Sequence, residues 1–149
     1  MSFMGLDVNV DDIPVIELLP PNEEILLSVK KADLKESGKT PGLYMISLVL
    51  ESPEQPDKAN VFDYLCIPRR DESKMTERMW KLRIQAFLKS FNVDISSLPN
   101  ISLESVPKEG LPINDLIGKQ GWVILEAVTN ERSGELENKV KSYVLGASI

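Results

Sequence analysis

A mainly β domain built around one helix is the fold class this sequence predicts. Three observations predict it. Three runs of alternating apolar and polar residues lie between Glu24 and Ile67, one run with helical spacing lies between Lys74 and Phe91, and two more alternating runs lie between Trp122 and Leu145. The order strand-strand-strand-helix-strand-strand is that of a five-stranded OB-fold barrel with one α-helix between strands 3 and 4. Two segments are expected: an acidic N-terminal arm, residues 1–22, and an OB-fold domain, residues 23–149.

The arm carries its own breakers, Asp11, Asp12, Pro14, Pro20 and Pro21. Its apolar residues Ile13, Val15, Ile16, Leu18 and Leu19 are expected to pack on the body. In Glu24–Ala32, Ile25, Leu27 and Val29 alternate with Leu26, Ser28 and Lys30, which reads as the first strand. The cluster KESGKTPG follows and turns the chain, with Gly38 and Gly42 free to take positive φ. Leu43–Leu50 is the second strand, with Tyr44, Ile46, Leu48 and Leu50 on one face. The prolines of SPEQPDK fix a loop, and Asn60–Ile67 is the third strand, ended by Pro68.

Asp71 or Ser73 is placed to cap the helix that follows. Within it Met75, Met79, Leu82, Ala86 and Phe87 recur at helical spacing, widened by Trp80, Ile84, Leu88 and Phe91. Met79, Leu82, Phe87 and Phe91 are expected to plug one end of the barrel, and Arg78, Lys81, Arg83, Gln85 and Lys89 to face water. Asn92–Asn114 is punctuated by Pro99, Pro107, Gly110 and Pro112 and reads as an irregular connector. Trp122–Thr129 is the fourth strand. A hairpin with Gly134 at its tip leads to the fifth, Asn138–Leu145, in which Lys139, Lys141 and Tyr143 share a side under strict alternation.

Composition narrows the function. The chain has 149 residues, enough for one domain, and 27% are charged. No run approaches the ~18 apolar residues that cross a bilayer. The N-terminus lacks the basic and apolar regions of a signal peptide. Cys66 is the only cysteine, so no disulfide framework is expected and the cytoplasm is the simplest compartment. There is no histidine, which removes the commonest general base and transition-metal ligand. The net charge of −6 is localised. Asp7, Asp11, Asp12, Glu17, Glu23 and Glu24 account for all of it, and the rest of the chain balances 17 basic against 17 acidic residues. A neutral body still has room for a basic stripe.

Enzyme signatures are missing. No phosphate-binding loop, nucleophile elbow or H-E-x-x-H helix occurs. Asp11-Asp12 reads as a solvated acidic pair and Asp71-Glu72 as a helix start. Cys66, without a histidine partner, reads as a small filler. No catalytic residue, metal or cofactor is expected.

Exposed rings and cations on strands are more informative, because a base stacked on an aromatic ring contributes ~1–3 kcal/mol whatever the sequence. Lys139-x-Lys141-x-Tyr143 offers two cations and a ring on one side of a strand. The same pattern also describes an edge strand defended by lysines. Tyr44, Phe62, Tyr64 and Trp122 lie on strands and serve either as core or as platform; a tyrosine suits a wet surface because of its hydroxyl. Arg69 and Arg70, just beyond the third strand, suit phosphate contact or a solvated loop, and Lys30 heads a cluster with Lys31, Lys35 and Lys39 around the first hairpin. The expected nucleic-acid-binding set is thus Lys30, Tyr44, Tyr64, Arg69, Arg70, Trp122, Lys139, Lys141 and Tyr143.

Several stretches carry a resemblance. They are KKADLKESGKTPGLYMISLVLE, NVFDYLCIP, RMWKLRIQAFLKSFNVD and DLIGKQGWVILEAVTNERSGELENKVKSYV, which together span about residues 20–145. In their order and spacing the chain resembles a phage protein family, catalogued as a domain of unknown function, whose studied relatives are OB-fold single-stranded-DNA-binding proteins. The resemblance implies a part in phage DNA replication or recombination inside the bacterial cytoplasm. It implies single-stranded DNA and phage replication or recombination proteins as partners, leaves a homo-oligomer open, and supplies no catalytic residues or membrane contact. Many single-stranded-DNA-binding proteins end in an acidic tail. This sequence ends Gly146-Ala147-Ser148-Ile149, which leaves the acidic N-terminal arm, or another surface, to recruit partners. The alternative function is an OB-like protein-interaction module that binds no nucleic acid.

Overall fold

The computed structural model describes residues 2–3, 6–9 and 17–145. Its elements are β1 (Ser2–Phe3), β2 (Leu6–Asn9), β3 (Glu24–Glu36), β4 (Tyr44–Glu51), β5 (Val61–Cys66), α1 (Lys74–Ser90), β6 (Leu111–Pro112), β7 (Gln120–Thr129) and β8 (Leu136–Tyr143). β1 and β2 pair with each other inside the stretch expected as an arm. Asp11, Asp12, Ile13, Val15 and Ile16 lie outside the described residues. Leu19 is fully buried, and the Asn138 carboxamide holds its backbone through both N–H and C=O.

The fold is mainly β, a six-stranded antiparallel sheet with one helix. β3 organises it. Its first part, Glu24–Ser28, pairs with β7, and its second part, Ser28–Glu36, pairs with β4. Near its end it also takes up β6, a two-residue strand inside the connector read as irregular. The long strands therefore run in the order β5-β4-β3-β7-β8. The inward residues Leu27, Val29, Leu48, Leu50, Val61, Leu65, Val123 and Leu125 are all buried. Each contributes on the order of 1.5–3 kcal/mol by leaving water.

The closed barrel expected from the element order is not formed, because β5 and β8 share no hydrogen-bond ladder. Side chains cross the gap instead. The Tyr143 hydroxyl donates to the Asp63 carboxylate. Arg83 donates to the same carboxylate at 3.0 and 3.1 Å and to the Val140 carbonyl at 3.3 Å.

Two bulges interrupt the alternation. In β3, Val29 opposes Leu50 and Lys31 opposes Val49, so Lys30 is an extra residue. In β8, Val140 opposes Leu125 and Ser142 opposes Ile124, so Lys141 is extra. An odd insertion shifts the side-chain phase by one. Tyr143 consequently turns inward, where strict alternation put it beside Lys139.

Ser73 caps α1 by accepting from the Thr76 N–H. The helix is rotated relative to expectation. Phe87, Leu88 and Phe91 are buried and Trp80 is half-buried. Met75, Met79 and Leu82 stay 74%, 60% and 51% exposed, so only Phe87 and Phe91 of the expected plug enter the core. Arg83, expected in water, is pulled under the helix by Asp63. That pairing and the Phe87–Phe91–Tyr143 ring cluster fix one rotation, and at about 100° per residue the methionines are left outside. Opposite Phe91, Gly121 leaves no room for a side chain: a Cβ there would sit 2.5 Å from the Phe91 ring and 2.7 Å from the Ser90 carbonyl.

Candidate functional site

Register builds one exposed face. Across β3, β4 and β5 the directly opposed residues form the rows Lys31–Val49–Phe62, Asp33–Ser47–Tyr64 and Lys35–Met45–Cys66. Opposed residues share a side of the sheet. The other side is the core, so these rows face outward. Phe62 and Tyr64, two residues apart on β5, are 54% and 49% exposed. Lys31 and Lys35 stand at the far ends of the outer rows, and Lys31 approaches Asp33 at 3.8 Å. Cys66 is half-buried, and burial pushes its thiol up, so it stays protonated at neutral pH.

Where the sheet fails to close, a cleft of about 580 Å³ opens between β5 and β8. Phe62, Tyr64, Asn60, Arg83 and Lys139 line it, together with Glu126, Glu135 and Glu137. Lys139 opposes Glu126 across the ladder and approaches Glu137 at 3.8 Å. A second opening continues the surface past Lys39, Asn130 and Arg132. The floor of the cleft is rigid, because Asp63 is held by Arg83 and Tyr143 together.

The sequence-derived residues fall into three groups. Tyr64 and Lys139 come together at the cleft. Lys30 and Lys141 are exposed as the extra residues of the two bulges, and Arg70 is exposed beyond β5. The others are placed elsewhere. Tyr143 is 6% exposed with its ring edge-on to Phe87 and Phe91 and Arg83 over its face, so it offers no stacking surface. Burial and the adjacent Asp63 charge raise its phenol well above the ordinary range. Tyr44 packs against the core at the start of β4. Arg69 is half-buried and committed to Glu72. Trp122 is 38% exposed but opposes Leu26, on the part of β3 that pairs with β7 rather than with β4. Phe62, weighed in the sequence as core or platform but left out of the expected binding set, is exposed beside Tyr64. Its two-residue spacing from Tyr64 was the available signal, since alternation puts both on one face.

No family model and no curated protein matches this chain.

Proposed function

We propose that this chain is an OB-type protein that binds single-stranded DNA without sequence preference and without catalysis, in phage DNA replication or recombination in the bacterial cytoplasm. The observation that carries the proposal is the Phe62–Tyr64 pair, two exposed rings on one face of β5 above an open cleft. OB folds are partly open barrels that take oligonucleotides across strands 2 and 3 and between the loops that join strands 1–2 and 4–5. In that scheme β4 and β5 are strands 2 and 3. The turn holding Lys39 is the first loop, and the turn holding Arg132 is the other. The rings stack bases, while Lys31, Lys35, Lys39 and Lys139 stand where phosphates would pass.

A second reading has its own observation. Glu126, Glu135 and Glu137 rim one wall of the cleft, which suits a basic peptide of a protein partner. One titration separates the two. A labelled single strand of about 30 nucleotides should bind and lose affinity steeply with salt, through counterion release. Absence of binding at low salt favours the protein partner.

A further inference from the structure

The outward side of α1 carries an apolar stripe that the fold does not use. Met75, Met79 and Leu82 are 74%, 60% and 51% exposed, and half-buried Ala86 continues their line. Their spacing is four, three and four residues, the seam along which one helix packs against another. Cations flank it. Lys74, Arg78 and Lys89 are exposed on α1, and among the described residues none of them has a carboxylate within ion-pairing distance. Glu77, the only acidic residue of the helix, is bound to Lys81. A chain with net charge −6 thus gathers free positive charge around one apolar stripe.

We infer that the outer face of α1 docks an acidic amphipathic helix of a protein partner, with apolar side chains on the Met75–Met79–Leu82 seam and carboxylates against Arg78 and Lys89. Charge complementarity selects this occupant. A second copy of the chain would bring the same cations against each other. The seam spacing favours a helix over an extended segment, and methionine adapts its shape to varied apolar partners. The face is separate from the Phe62–Tyr64 surface, so the inference stands whether or not DNA binds there.

The test uses the full chain and two labelled synthetic helical peptides of about 21 residues, three heptads. Both carry leucine at alternating three- and four-residue spacing; one has glutamate at the flanking positions and the other lysine. The acidic peptide should bind, with the basic one at least about tenfold weaker and the difference shrinking as salt rises. Met79→Gln with Leu82→Gln should abolish binding, and Arg78→Glu with Lys89→Glu should reverse the preference. All four positions are exposed, so thermal stability should hold and report that folding is intact. Equal binding of the two peptides, no binding by either, or full binding by both variants overturns the inference. Sedimentation with phosphatidylglycerol vesicles, or a dimer that the glutamine variant dissolves, overturns it in favour of a lipid surface or of self-association.

Discussion

Tyr143 and Asp63 stand on opposite edges of the sheet and are joined by a hydrogen bond from the phenol to the carboxylate. Arg83 completes the group, bonded to Asp63 and stacked 5.4 Å above the Tyr143 ring. Three elements, β5, α1 and β8, therefore meet at one carboxylate. This group ties down the strand that presents Phe62 and Tyr64, so the platform is braced from the floor of the cleft.

Tyr143→Phe keeps the ring packing and removes only the bond to Asp63. The expected loss is about 1.5–3 kcal/mol, the range for hydrogen bonds to charged groups. Urea unfolding should show a lower midpoint with an unchanged slope. An unchanged midpoint would mean that Arg83 alone satisfies Asp63.

The same comparison has a pH signature. The folded Tyr143 phenol titrates well above the value of 10.0 expected in the unfolded chain. Its contribution is complete below pH 10 and is lost as pH rises from there toward the folded value, because only the unfolded state then releases the proton. Wild type should lose stability relative to Tyr143→Phe above pH 10, by at most about 1.4 kcal/mol per pH unit. Parallel curves for the two proteins in that window would contradict the assignment.

Phe62→Ala and Tyr64→Ala should each cost about 1–3 kcal/mol in binding of single-stranded DNA. Both rings are half in water, so melting temperatures should move little. Tyr143→Ala behaves oppositely, losing about 3–5 kcal/mol of folding stability as a buried aromatic. Full affinity in stable Phe62 and Tyr64 variants would remove the stacking surface from β5.

The phosphate path is tested by Lys35→Ala combined with Lys139→Ala. Each lost contact should reduce the salt slope of single-strand binding by about 0.7. Lys141→Ala, at the bulge, makes a useful companion. An unchanged slope in the folded double variant would route the backbone elsewhere.

Gly121→Ala tests the seat of Phe91. The added methyl meets both a ring and a backbone carbonyl, so the expected cost is at least about 1–3 kcal/mol, as for overpacked cores. Shrinking Phe91 as well should not restore stability, since the Ser90 carbonyl remains. Calorimetry of the two variants decides it.

Much of the fold was legible as alternation. The three early strands, the helix from Lys74 and the two late strands all lie within a few residues of where their patterns put them. What alternation could not carry was phase. The bulge at Lys141 turns Tyr143 from an expected platform into a core ring. In the helix, apolar residues are spread over most of its circumference, so periodicity alone allowed more than one rotation. Asp63, twenty residues away in sequence from Arg83, selects the rotation that leaves Met75 and Met79 in water. The site was half legible for the same reason. Tyr64 and Lys139 follow from local pattern, whereas the value of Phe62 depends on which face of β5 the register turns outward.

The bulge at Lys141 also says what kind of change this strand can absorb. Its side chain packs against nothing in the core, so most substitutions there should be silent. Removing the residue is another matter, because the strand would regain strict alternation and Tyr143 would rotate away from Asp63. Lys30 occupies the equivalent place in β3. At both positions the chain depends on a residue being present rather than on which residue it is, so single-residue deletions, not point changes, are the lesions these two strands cannot accommodate.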